Sequence, residues 1–226
     1  MNALTVFVEQ QKAGMLTQTA NECVFHYETS DDSAFVSLTM PVRVKTYSLT
    51  RLLPIFEMHL PEGYLLAVIK KHFAKLTNTD DFGLLSLLSP NVHGRLKYDS
   101  TVIRQESISL STLLAPQSDD LFQELVARFA LQSPLSGVQP KVLAQVEDKA
   151  TLKLEEMIVK SWGEDYPELA LNEFLCMTAV KNAGVTVPHF YLSSDDRLFI
   201  MKRFDVVDSS ESADKTPIYL GFEDMC

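Results

Sequence analysis

Two charged residues, one closing a strand and one on the helix after it, are the first candidates for chemistry. Lys160 ends the apolar run Met157-Ile158-Val159-Lys160, and Glu173 stands among Leu169, Phe174, Leu175 and Met177 further on. A lysine at a strand end can hold phosphate oxygens when a carboxylate on the facing helix keeps it in place. Upstream, Ser136-Gly137-Val138-Gln139-Pro140-Lys141 reads as a tight turn. Successive backbone N–H groups in such a turn can cradle phosphates. The turn is neither GxGxxG nor a P-loop, so spacing alone identifies no nucleotide site. Each candidate also has a plain structural reading: a hairpin turn, a solvated strand end, a solvated helix face.

Other chemical groups are less organised. Asp81-Phe82-Gly83 spells a metal-binding motif of phosphoryl-transfer enzymes. That motif must follow the lysine strand, and here it precedes Lys160, so Asp81 reads as a helix cap instead. His26, His59, His72, His93 and His189 show no metal-ligand spacing. Cys23, Cys176 and Cys226 are odd in number and far apart, which argues against a disulfide framework or a structural zinc site and fits a reducing cytoplasm. Trp162 has packing as its default role.

These residues need elements to hold them. The first half reads as short strands at Val6–Val8, Val24–Tyr27 and Phe35–Met40, with a turn near Gly14. Helices are expected over 52–59, 64–76 and 82–88. Residues 97–117 are polar and Ser-rich, and 106–117 read as a linker. A helix over 119–130 follows, with Leu121, Phe122, Leu125, Val126 and Phe129 on one face. Beyond it come the Ser136 turn, strands at 142–144, 151–154 and 157–160, and a helix over 167–183 closed by Gly184. A hairpin at 190–201 and a last strand at 218–220 complete the order. The fold class is α+β, with a small mixed subdomain over 1–105 and a second domain over 118–226.

Composition narrows the class. The chain has 226 residues and is 46% hydrophobic and 22% charged, enough for a sizeable core. Its net charge of −10 argues against direct nucleic-acid binding, which needs clustered Lys and Arg. No run is long and apolar enough to cross a membrane, and the first residues lack the pattern of a signal peptide.

Several stretches together resemble the HipA family of serine/threonine kinase toxins. Leu135-Ser136-Gly137-Val138-Gln139-Pro140-Lys141 resembles the family's phosphate loop, and Met157-Ile158-Val159-Lys160 its ATP-contacting lysine strand. Asn172-Glu173-Phe174 and Ala183-Gly184-Val185-Thr186-Val187-Pro188 are similar to the helix and its exit. Lys202-Arg203-Phe204-Asp205 resembles the following strand, and Glu223-Asp224-Met225-Cys226 the hinge. In the first half, Ser37-Leu38-Thr39-Met40-Pro41, Phe56-Glu57, Leu60-Pro61-Glu62-Gly63 and Asp81-Phe82-Gly83-Leu84-Leu85 resemble the amino-terminal subdomain. The order and rough spacing are the family's, over nearly the whole chain. Residues 90–98 match less well, and Pro134 stands where the family often has a serine.

The resemblance implies a kinase small lobe over 118–226. ATP, with Mg²⁺, would lie against Ser136, Gly137, Val138, Gln139, Pro140, Lys141 and Lys160. Glu173 would partner the lysine, and Glu223, Asp224 and Met225 would lie near the adenine. Ser136 is the position implied for autophosphorylation. Implied partners are a HipB-like helix-turn-helix antitoxin and, as substrate, an aminoacyl-tRNA synthetase. No catalytic loop or metal-binding aspartate follows the hinge within these 226 residues. The chain alone is therefore expected to be inactive. The alternative is a non-catalytic binding module or split-protein subunit that engages an antitoxin or a partner kinase chain.

Overall fold

The computed structural model describes residues 2–63, 65–67, 69, 80–92, 94–98, 106–129, 139–148, 153–161, 167–207 and 218–223. Most of the helix expected over 64–76 lies outside them, as do His72, His93, Trp162 and Cys226. The fold is α+β. It forms two compact units, one of Met1–Leu60, Lys70–Ile103 and Asp205–Cys226, the other of Pro61–Ile69 and Arg104–Phe204.

The first unit is built on an antiparallel five-stranded sheet. Its strands are β1 (Asn2–Val8), β2 (Gln11–Gln18), β3 (Cys23–Tyr27), β4 (Thr46–Leu49) and β5 (Leu96–Tyr98), in the order β4-β3-β2-β1-β5. Alternate residues of β1 and β3 point inward: Leu4, Val6, Val8, Cys23, Phe25 and Tyr27 are all buried. Phe56, on the short helix α1 (Pro54–Glu57), closes over Phe25 at 5.4 Å between ring centres. A second helix, α2 (Asp81–Leu88), buries Phe82, Leu84, Leu85 and Leu88. Asp80 rather than Asp81 is its cap, accepting a 2.8 Å bond from the Gly83 amide.

Two expectations for this unit fail. Gly14 is not a turn but lies inside β2, where a Cβ would come 2.1 Å from the His26 carbonyl oxygen. Close approach of a neighbouring strand, not a turn, demands the glycine. The turn itself is at Glu9, in the left-handed region at φ 56°. The stretch Phe35–Met40 alternates like a strand but folds as a turn, with Met40 N–H donating to Ser37 O at 3.0 Å. Ser37 Oγ also accepts from Thr39 N–H at 3.1 Å, a local bond that competes with strand pairing. The buried Tyr27 hydroxyl fixes both flanks: it donates to Met40 O at 2.6 Å and accepts from Val36 N–H at 2.8 Å. Burial pushes this phenol up to about 12.

The second unit carries a sheet in the order β6-β7-β8-β10-β9. These strands are β6 (Ser107–Ser109), β7 (Lys141–Asp148), β8 (Lys153–Ser161), β9 (Phe190–Leu192) and β10 (Leu198–Lys202). Only the β6–β7 pair is parallel; the others run antiparallel. The stretch read as a linker, 106–117, contains β6 and the helix α3 (Leu110–Leu114), with Leu113 fully buried. Residues 153–154 of one expected strand and 157–160 of the next belong to a single strand, β8, while 151–152 lie outside the described residues. Glu155 and Glu156, half-buried on opposite faces of the strand, obscure the continuity, because charges there look like a break. Helix α4 (Leu121–Phe129) buries the five apolar residues expected to share a face.

Helix α5 (Leu169–Asn182) runs between β8 and β9 in sequence. Its C-terminus closes on Gly184 at φ 85°. Gly184 N–H donates to Lys181 O at 3.0 Å and Val185 N–H to Val180 O at 3.3 Å. Those two bonds satisfy the last helical carbonyls in a left-handed cap. Phe174 stacks edge-on against Phe190 at 5.6 Å, and Phe190 packs on Phe199 at 5.9 Å, tying the helix to β9 and β10. Two further strands, β11 (Val206–Val207) and β12 (Ile218–Tyr219), pair antiparallel in the first unit. Among the described residues no helix is long and apolar enough to cross a membrane.

Candidate phosphate-binding site

Lys160 lies one residue from the end of β8, a strand held on both sides. It is directly opposite Lys141 of β7 and Phe199 of β10. Met157 and Val159, which flank it on the other face of the sheet, are buried and fix the strand's pleat. The Lys160 ammonium therefore leaves the sheet on the side of α5. There both oxygens of Glu173 accept from Nζ, at 2.8 and 2.7 Å. The pair is about one-fifth exposed, 18% for Lys160 and 20% for Glu173, so it is partly desolvated but open to a ligand. A strand lysine and a helix carboxylate thus hold each other, as expected from the sequence.

Lys141 adds a second cation across the strand pair. Burial is the main cause that holds its ammonium below the usual lysine range, and Lys160 pushes the same way; Glu62 and Glu173 act against both. Lys141 and Lys160 are directly opposite on adjacent strands, with Glu62 and Glu173 as the opposing charges. Two adjacent ammonium groups can together meet an anion with several oxygens. Gln139 and Pro140 lead into β7, and Pro140 O accepts from Ser161 N–H at 3.1 Å, so the chain entering the site is fastened to β8. Ser136, Gly137 and Val138, with Asp224 and Met225, lie outside the described residues. Among the described residues no three His, Cys, Asp or Glu side chains gather as a metal site.

Glu223, read as part of a hinge near adenine, is placed in the first unit. Its carboxylate accepts from Ser37 Oγ at 2.8 Å and from Leu38 N–H at 2.7 Å. Two further features escaped the sequence reading. The end of β10 is locked to β8 by Arg203–Glu156 at 2.9 Å and Lys202–Glu155 at 2.8 Å. The only signal was two adjacent acids facing two adjacent bases, which has meaning once register is known. His59 also bonds Tyr98 at 2.7 Å, and burial alone pushes the imidazole down to about 4. That pair is a packed, neutral part of the first unit's interior.

Comparison with known proteins matches both halves of the chain. Residues 4–99 match the HipA N-terminal domain and residues 133–226 the HipA-like C-terminal domain. The chain belongs to the HipA family. No curated protein sequence matches it. A solved relative is HipA of the Shewanella oneidensis MR-1 toxin–antitoxin system, in complex with HipB and its operator DNA. It is 18% identical with a TM-score of 0.59, and the match covers 96% of this chain and 53% of that one. At that identity the likeness establishes the fold. This HipA-family chain spans about half the length of the Shewanella protein.

Proposed function

We propose that this chain carries the nucleotide-binding part of a HipA-type serine/threonine kinase toxin, with ATP as the phosphoryl donor. The Lys160–Glu173 ion pair carries the reading, because it joins a central strand to the 14-residue helix that follows it. The order of elements around it supports the same conclusion: two strands, the second bearing the lysine, then the helix, then a two-strand hairpin. In phosphoryl transfer there is little covalent work for this region to do; it positions phosphates and offsets their charge. Lys160 would donate to phosphate oxygens while Glu173 keeps its ammonium aimed. Lys141 would supply the second positive charge, and backbone N–H groups of Ser136, Gly137 and Val138 the remaining donors. Ser136 is the proposed autophosphorylation position, where added negative charge would repel the ATP phosphates. Mg²⁺ finds no ligand set among the described residues, so no step is assigned to it.

The antitoxin partner is proposed from the relative, which was solved with HipB. An aminoacyl-tRNA synthetase is the proposed class of substrate, by family resemblance. The test is calorimetric titration of ATP and of inorganic tripolyphosphate into the purified chain. Lys160→Ala should weaken both by about tenfold or more, the scale of one lost charge-assisted bond. Equal affinities in wild type and variant would refute the assignment. A second expectation follows from the residues present. Among them is no proposed base for the substrate hydroxyl, and positioning without a base gives little transfer. Labelled ATP, Mg²⁺ and a synthetase should show no incorporation above the Lys160→Ala level. Incorporation that depends on Lys160 would instead mean that this chain holds all the catalytic groups it needs.

A further inference from the structure

Lys141 and Lys160 face each other across β7 and β8, but their surroundings give them different chemistry. Directly opposite residues of an antiparallel pair carry their side chains on the same face, with Cβ atoms roughly 5 Å apart. Lys160 is held as an ammonium, because both oxygens of Glu173 accept from its Nζ, at 2.8 and 2.7 Å. An amine in that grip keeps its proton and has no lone pair to offer. Lys141 is not gripped. Among the described residues its Nζ makes no hydrogen bond or ion pair.

The charged groups that bear on Lys141 all lie with it in the second unit. Burial and Lys160 on β8 favour its neutral amine; Glu62, from residues 61–69, and Glu173 on α5 oppose them. The balance favours the free base, so more of it is present at neutral pH than for an ordinary lysine. A desolvated lysine beside a second cation is a setting in which an amine becomes a nucleophile. The second cation also attracts an electrophile that carries its own negative charge. Glu173 takes two of the three Lys160 N–H donors, which leaves one for such a reagent.

We propose that Lys141 is a modification site, acylated by small acyl phosphates whose phosphate is held by Lys160. The Lys141 nitrogen attacks the acyl carbon; an N–C bond forms and the C–O bond to phosphate breaks. Phosphate leaves with that bond's electron pair, and the proton lost from nitrogen passes to phosphate or solvent. No oxidant or reductant takes part. The product is an uncharged amide, so acylation removes one of two adjacent ammonium groups and weakens the site for anions. That consequence rests on the proposed phosphate-binding reading; the acylation itself is read separately.

The 226-residue chain is treated at neutral pH with acetyl phosphate and, in parallel, with the uncharged N-hydroxysuccinimide ester of acetic acid. Peptide mass spectrometry follows acetylation at Lys141, at Lys160 and at Lys153, an exposed lysine on β8. With acetyl phosphate, Lys141 should react about tenfold or more faster than either of the others. With the uncharged ester that preference should fall by about threefold or more, since no phosphate guides the reagent. Inorganic phosphate should slow the acetyl phosphate reaction at Lys141 and leave Lys153 unchanged. The rate at Lys141 should rise with pH and level off below about 10.4, the ordinary lysine value. Faster labelling of Lys160, or a Lys141 no faster than Lys153, overturns the proposal. So does an equal preference with both donors, which leaves Lys160 no part in recruiting the reagent. The acetylated chain is then titrated with tripolyphosphate, and affinity about tenfold below that of the untreated chain is expected. Unchanged affinity overturns the claimed effect of acylation on the site. Selective acylation of a chain that binds no tripolyphosphate even untreated would overturn the proposed function and leave the modification site standing.

Discussion

Replacing Lys141 by methionine should make the protein more stable and a poorer anion binder. The two effects have one origin. Burial and the neighbouring Lys160 disfavour the Lys141 ammonium in the folded chain, and the opposing pull of Glu62 and Glu173 is smaller. A lysine with its folded pKa below its unfolded value binds fewer protons when folded, across the window between the two values. Stability therefore rises with pH through that window, and the full cost is present below it. At neutral pH the charged lysine is a standing cost. Methionine keeps the length and apolar stem without the charge, so thermal unfolding should move up by about 2–4 °C for each kcal/mol relieved. The gap between variant and wild type should shrink as pH approaches about 10.4, the ordinary lysine value. Tripolyphosphate affinity should meanwhile fall by about tenfold. Scanning calorimetry at pH 7 and pH 10, with calorimetric titration at pH 7, measures both. A variant that melts lower than wild type at pH 7 would show that Lys141 is retained for packing or pairing, not for a ligand.

That trade also explains why part of the site was legible from sequence. A lysine ending an apolar strand, with a glutamate on the next helix, is a local pattern whose meaning survives without coordinates. Strand pleat and helix phase fix where both side chains go, and the two meet at 2.7 Å. Gly184 was readable for the same reason: a helix needs a left-handed exit, and glycine supplies it most cheaply. Positions decided by distant neighbours were not readable. Gly14 looks like a turn until His26 of the next strand is placed against it. The 35–40 stretch has a strand's alternation, but Tyr27 and Ser37 offer its backbone other partners. Glu223 and Ser37 stand 186 residues apart, so no spacing rule joins them. The fold class was legible throughout because periodicity is local, whereas the assignment of residues 205–223 to the first unit depends wholly on tertiary contacts.

Glu155 and Glu156 are neighbours whose ion pairs differ in how far solvent screens them. Both glutamates make one ion pair to the end of β10, at nearly equal distances of 2.8 and 2.9 Å. Their surroundings differ. Lys202 and Glu155 are 28% and 27% exposed, and solvent screens them. Arg203 and Glu156 are 10% and 14% exposed, and Arg203 N–H also donates to Glu156 O at 2.9 Å. Exposed pairs contribute about 0–1 kcal/mol, whereas removing one partner of a buried pair costs about 3–5 kcal/mol, because the other charge stays in a poor solvent. Glu156→Ala should thus cost several times more than Glu155→Ala in urea unfolding of the second unit. The double change Glu156→Leu with Arg203→Met should recover most of the loss, since apolar side chains then replace both members of the pair. The consequence reaches the phosphate site. Glu156 is four residues from Lys160 on the same face of β8, and Arg203 fastens that strand to β10 by both side chain and backbone. Glu156→Ala should therefore raise amide exchange along 156–161 and weaken tripolyphosphate, and the double variant should restore both. Equal losses from the two single variants would mean that burial does not separate them, and that the lock on the lysine strand lies elsewhere.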